Sequence, residues 1–185
     1  MFRRLLCLSV FLLGSMAAAH GQAMPALMQG GSIEAGGDFS IVKPDYGYHT
    51  MYGFAVVADA NARQWAGFEA EYHYASWNGL SGTTQQSFGI GPRFFYARNR
   101  WIPFAKILVG YGGLTFPNPG NPHHDYGQLT FGGGLDWRWK HKITIQAVNV
   151  EYQDWWNFGH ANDYETRAGS LTPLMISFGV KYRFF

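Results

Sequence analysis

The chain has 185 residues, of which 47% are hydrophobic, 18% aromatic and only 14% charged, with 24 glycines. The length suits one domain, and the charged content lies well below the roughly 25% of ordinary soluble domains. The formal charge of +2 rests on Arg3 and Arg4, without which 12 basic and 12 acidic residues cancel, so nothing electrostatic points to nucleic acid as a partner.

Arg3 and Arg4 precede an apolar run from Leu5 to Leu13 and small residues from Gly14 to Ala19. This reads as a secretory signal peptide over residues 1–23, with cleavage after Ala19 or Ala23. The apolar run is too short for an anchor helix, which needs about 20 residues. Cys7, the only cysteine, lies in the segment to be removed, so the mature chain is expected to have neither disulfide nor thiol chemistry. Residues 24–31 carry no pattern and read as a periplasmic lead-in to a folded domain at 32–185.

From Ser32 onward, eight candidate strands follow, at about 32–43, 49–59, 65–76, 85–96, 101–113, 126–139, 142–153 and 172–184, divided by clusters of turn-forming residues. No segment shows the 3.6-residue period of an amphipathic helix. The connections alternate in length. Ala60–Gln64, Ala97–Arg100 and Lys140–His141 are tight turns, whereas Leu114–Asp125 and Asp154–Leu171 are the longest loops. Turns at one end and loops at the other predict an all-β, eight-stranded antiparallel up-and-down transmembrane barrel, with turns and both termini in the periplasm.

Most strands are two-sided, with period 2. In strand three Phe68, Tyr72 and Tyr74 alternate with Glu69, Glu71 and His73; in strand six Phe131, Leu135 and Trp137 alternate with Gly132, Asp136 and Arg138. Strand four sets Phe88, Ile90 and Phe94 against Gly89, Gly91 and Arg93. The pattern is less clean in strand two, in strand five, where Lys106 sits among Ile102, Phe104 and Leu108, and in strand seven, where Thr144–Tyr152 changes parity midway and suggests a bulge. The last strand alternates Leu174, Ile176, Phe178, Val180, Tyr182 and Phe184 with Ser177, Gly179, Lys181 and Arg183. Aromatics gather at strand ends: Trp65, Tyr96, Trp101, Trp137, Trp139 and Phe184 near the turns, Tyr48, Tyr52, Tyr74, Trp77, Tyr111, Trp155 and Trp156 near the loops. Such clustering predicts two girdles at the lipid headgroups.

With the apolar parity toward lipid, the lumen receives Glu34, Asp38, Glu69, Glu71, Arg93, Lys106, Asp136, Arg138, Lys181 and Arg183. Acids and bases then fall on neighbouring strands, each base with a partner, Arg93 near Glu69 and Arg183 near Glu34. Glycines on the same face, such as Gly36 and Gly132, leave room for the long side chains. Eight strands leave an interior only wide enough for side chains, so an ionic network that conducts no ions is expected.

The eight alternating strands, the signal peptide, Gly91-Pro92-Arg93 and the ending Gly179-Val180-Lys181-Tyr182-Arg183-Phe184 together resemble the small outer-membrane β-barrel domain family of the OmpA/OmpX type. The resemblance spans about 32–184. It implies a bacterial outer-membrane location, outer-membrane lipid as surroundings, and a C-terminal strand whose Phe178, Val180, Tyr182 and Phe184 signal to the barrel assembly machinery, with Phe185 one residue beyond the register. Family roles run from envelope anchoring to adhesion, and fold does not fix function.

An enzymatic alternative is a lipid A deacylase, a family of eight-stranded barrels with His and Ser two residues apart on the seventh strand. Asn149 and Glu151 stand at the comparable positions and cannot supply a base and nucleophile. His160, Asp163 and Ser170 share the last loop, as polar loops often arrange by chance. His123-His124-Asp125 reads as solvated loop because adjacent histidines on extended chain point apart. Asp154-Trp155-Trp156-Asn157-Phe158 reads as a membrane-interface anchor, with a loop surface for sugar or host protein as the sharper option. A soluble lipocalin-like barrel would place the apolar set inside as a pocket for a small hydrophobic ligand. GxGxxG, Walker A, GxSxG and CxxC motifs are all missing from the sequence. The expectation is therefore a barrel without catalytic residues, cofactor or metal, in a structural or surface-interaction role, with the long loops available to an extracellular ligand.

Overall fold

The computed structural model describes residues 31–45, 50–77, 82–115, 123–157 and 171–184. The expected signal peptide and lead-in, and His160, Asp163, Ser170 and Phe185, lie outside these residues. Eight strands follow in chain order: β1 (Ser32–Lys43), β2 (Met51–Asn61), β3 (Ala66–Ser76), β4 (Thr84–Phe95), β5 (Trp101–Thr115), β6 (His123–Lys140), β7 (Ile143–Asn157) and β8 (Leu174–Arg183). Each pairs antiparallel with its neighbour, and β8 returns to β1 from Leu174↔Lys43 to Arg183↔Glu34, closing the barrel. Closure leaves no free sheet edge.

At one end the chain turns tightly. Arg98 and Trp101 exchange backbone hydrogen bonds around Asn99-Arg100, with Asn99 at φ 57°, a left-handed conformation that Asn tolerates better than most residues. At the other end the strands outrun the sequence reading. β5 continues to Thr115, paired with His123 of β6, and β7 continues to Asn157. His123-His124-Asp125 therefore opens β6 and is not loop, and Asp154–Asn157 ends β7.

β7 carries the irregularity. Ala147 and Val148 both face outward, and the register shifts against β8 between Gln146 and Asn149 and against β6 between Leu135 and Asp136. One extra residue reverses the parity beyond it: Thr144 and Gln146 point inward before the bulge, Asn149, Glu151, Gln153 and Trp155 after it. Trp155 is thus not part of the loop-end girdle. It is fully buried inside, while Trp156 faces out at 39% exposure. Trp77, also assigned to that girdle, is half-buried and packs on Val42, Met51, Ala75 and Met175.

The outer surface is apolar throughout: Phe39, Phe54, Phe88, Ile90, Val109, Phe131, Ile176, Phe178 and Val180 are all exposed large hydrophobics. Trp65, Tyr96, Trp101, Trp139 and Phe184 ring the turn end, and Tyr52, Tyr111 and Trp156 the loop end. Along the middle of the strands the charged side chains are inside, and the exposed ones, such as Lys43, Arg63, Arg98 and Lys140, lie at the strand ends and turns. This inverts the lipocalin arrangement and removes that alternative: water could not solvate such an exterior cheaply, whereas lipid can.

Candidate functional site: the barrel interior

The interior holds an ion-pair network in two linked groups. Nearer the turns, Asp136 of β6 accepts from Arg93 (2.6 Å) and Lys181 (2.8 Å), and Asp59 of β2 lies 3.0 Å from Lys181 and 3.4 Å from Arg93. Nearer the middle, the Lys106 ammonium contacts Glu69 (2.5 Å), Glu71 (2.6 Å) and Glu151 (2.9 Å). Glu69 joins the groups, because its other oxygen is 3.0 Å from Arg93 Nε. Arg93 also lies 4.3 Å over the Phe104 ring, which with Ile102 and Leu108 places apolar side chains on the interior face of β5 beside Lys106. Every member of both groups is buried, and a charge there would be costly unless paired.

Small residues opposite the long ones make the fit. A Cβ on Gly132 would lie 2.8 Å from Lys106 Cε and 3.0 Å from Glu151 Cγ. Near the turn end Arg183 donates to Glu34, pairing across the β1–β8 seam. Asp38 accepts from Gln146 (2.7 Å) and forms no ion pair with a described residue. Arg138 departs from the expectation that each base has a partner: it is half-buried, its Nε makes no hydrogen bond, and no described carboxylate pairs with it. Its position at the interior's open end explains why that is tolerable, since water reaches it.

That open end is a cavity of about 620 Å³ lined by Glu34, Asn61, Arg63, Trp65, Arg93, Tyr96, Asp136, Arg138, His141 and Arg183, among others. The loop end differs. Val42, Met51, Ala75 and Met175 form one buried apolar cluster, and Leu114, Tyr126 and Trp155 another, against which Leu171 packs. The Trp155 ring lies on Gly112, where a Cβ would come within 2.8 Å of it. Between the charges and this layer sit neutral polar groups, with Gln128 donating to Thr130 (2.6 Å) and Trp155 Nε1 to Gln153 (3.0 Å).

All ten residues read from the sequence as interior charges face inward, Arg183 and Arg138 at the mouth. Three participants were missed: Asp59, His73 and Glu151. His73 shares the parity of Glu69 and Glu71, so its signal was present; Glu151 was hidden by the β7 bulge. Asn149 and Glu151, at the positions compared with a deacylase, point into the interior, with Asn149 donating to Glu151 (2.5 Å) and to Ser177 (3.2 Å).

A closed eight-stranded antiparallel barrel with an apolar, aromatic-girdled exterior and a polar side-chain core is the architecture of the small outer-membrane β-barrels. Solved structures agree. The chain is similar in fold to Neisserial surface protein A (12% identity, 84% of this chain and 97% of that chain covered, TM-score 0.65). It is also similar to Ail, the attachment invasion locus protein of Yersinia pestis (18%, 83% and 97%, 0.54), and to the outer membrane protein OprG of Pseudomonas aeruginosa (12%, 84% and 96%, 0.52). No protein-family model matches the chain, and no curated protein sequence does.

Proposed function

We propose that the chain is a non-enzymatic protein of the bacterial outer membrane, delivered by a cleaved signal peptide, with an interior closed to ions and a structural or surface-interaction role exercised through the outer loops. The observation that carries this is the filled interior: a buried ion-pair network followed by an apolar layer, with a cavity of about 620 Å³ opening at the turn end. Asn149 and Glu151, bonded to each other, support a non-catalytic role. The likeness in fold to Ail, the attachment invasion locus protein of Yersinia pestis, supports the surface-interaction reading. Planar-bilayer recordings of the folded barrel are expected to show no steady conductance, and purified protein to release no fatty acid from lipid A; a stable open channel or acyl release would each overturn the corresponding half of the reading.

The lipid-facing row Phe178, Val180, Tyr182 and Phe184 on β8 supports recognition by the barrel assembly machinery. Phe184 is 52% exposed and donates its backbone N–H to Ile33, which keeps it in register with the outer face. Deleting Phe184 with Phe185 is expected to abolish the heat-modifiable folded band in cells, and deleting Phe185 alone to leave it. Equal losses would refute the register.

A further inference from the structure

His73 has no role in the closure just described. It is 3% exposed, yet neither ring nitrogen makes a hydrogen bond. Its Nε2 faces two carboxylates, 3.4 Å from Glu71 Oε2 and 3.5 Å from Glu151 Oε2. Those separations are too long for a well-formed N–H···O bond, about 2.7–3.2 Å. They match the spacing, about 3.4 Å, of two ligand atoms bound tetrahedrally at about 2.0–2.2 Å from one ion.

We propose that Glu71, His73 and Glu151 form a binding site for a borderline divalent first-row cation of the zinc type, inside the barrel. One donor atom from each lies within 4.8 Å of the others. The surroundings already orient them. Asn149 and Lys106 both hold Glu151 Oε1, at 2.5 and 2.9 Å, and Oε2, which accepts a long 3.4 Å bond from Gln153, faces His73. Lys106 fixes Glu71 Oε2, the oxygen that faces His73 Nε2, and Glu71 Oε1 makes no hydrogen bond. One imidazole nitrogen and two carboxylates suit zinc and its neighbours better than calcium or magnesium, which prefer oxygen alone, or a soft monovalent ion, which prefers sulfur.

Charge points the same way. Glu69, Glu71, Glu151, Asp59 and Asp136 are met within the network by Arg93, Lys106 and Lys181, leaving two negative charges in the network, with Asp38 a further buried carboxylate outside it. One divalent cation beside a neutral His73 cancels both. Protonating His73 cancels only one. Lys106 and His73 do not line the cavity at the turn end, and both are buried, so the site is loaded as the barrel folds in the test below.

The test is to refold the mature barrel in detergent with Zn²⁺ alone, remove free metal, and measure retained zinc together with the unfolding midpoint. One zinc per folded barrel and a raised midpoint are expected. His73→Gln is expected to lower the affinity more than about tenfold, the loss that even a supporting partner produces, whereas His141→Ala at the exposed turn leaves it unchanged. X-ray absorption of the zinc-loaded wild type needs no variant: one imidazole with oxygen donors is expected. No retained zinc in folded wild type, two or more imidazoles on the metal, or unchanged affinity in His73→Gln would overturn the site.

Discussion

Toward the turns, the interior is held by charges that grip one another, with Asp136 between Arg93 and Lys181, and Lys106 among three glutamates. Toward the loops, it is held by Val42, Met51, Ala75, Met175, Leu114, Tyr126 and Trp155, which need only bulk and contact. The two closures differ in what they demand of the chain. Apolar packing tolerates small slips, whereas an ion pair at 2.6–3.0 Å is lost if a strand slides by two residues. The charged section therefore fixes the register of the strands, and the apolar section seals without specifying.

The comparison can be broken most severely at Lys106. Lys106→Met keeps the volume, strands Glu71 and Glu151 and leaves Glu69 only Arg93, so urea titration is expected to show a loss at the upper end of the range for an uncompensated buried charge, roughly 5 kcal/mol; a change below about 1 kcal/mol would mean that water already reaches these acids. Trp155→Ala removes the largest member of the apolar layer and should cost about 3 kcal/mol by the same titration. Because Arg93 and Trp155 share no partner, Arg93→Ala and Trp155→Ala should add within about 0.5 kcal/mol. The finest contrast lies within the charged section. Arg93→Ala and Glu69→Ala are expected to couple by about 0.5–3 kcal/mol in a double-mutant cycle, and strict additivity would show that their 3.0 Å approach carries no energy.

The sequence made the architecture legible because alternation on β3, β4, β6 and β8 is unambiguous, and because the turns are short where the loops are long. It was less legible on β2, whose inward face of Met51, Gly53, Ala55 and Val57 is nearly as apolar as its outward face, so Asp59 passed unnoticed. On β7 the bulge falls on Ala147 and Val148, two apolar residues that reveal nothing about where the extra one sits. Trp155 and Glu151 were misplaced or overlooked for this reason. The relation of His73 to Glu151 arises only when β3 and β7, strands that do not pair, face each other across the closed interior.

The seam between β1 and β8 has a consequence for how the barrel forms. Lys181 on the last strand lies against Gly36 on the first, where a Cβ would sit 2.8 Å from Lys181 Cγ, and its ammonium reaches Asp59 and Asp136 across the lumen. Before β8 meets β1, that ammonium is wet and both sheet edges are bare. After they meet, it is dry, paired and roofed by backbone. Edge satisfaction and loss of water from the charge thus happen in one event, between residues 149 positions apart in the case of Glu34 and Arg183. Contacts so remote in sequence form late and slowly, which makes the final joining an all-or-none latch with no comfortable half-closed state in which an open edge could recruit a second chain.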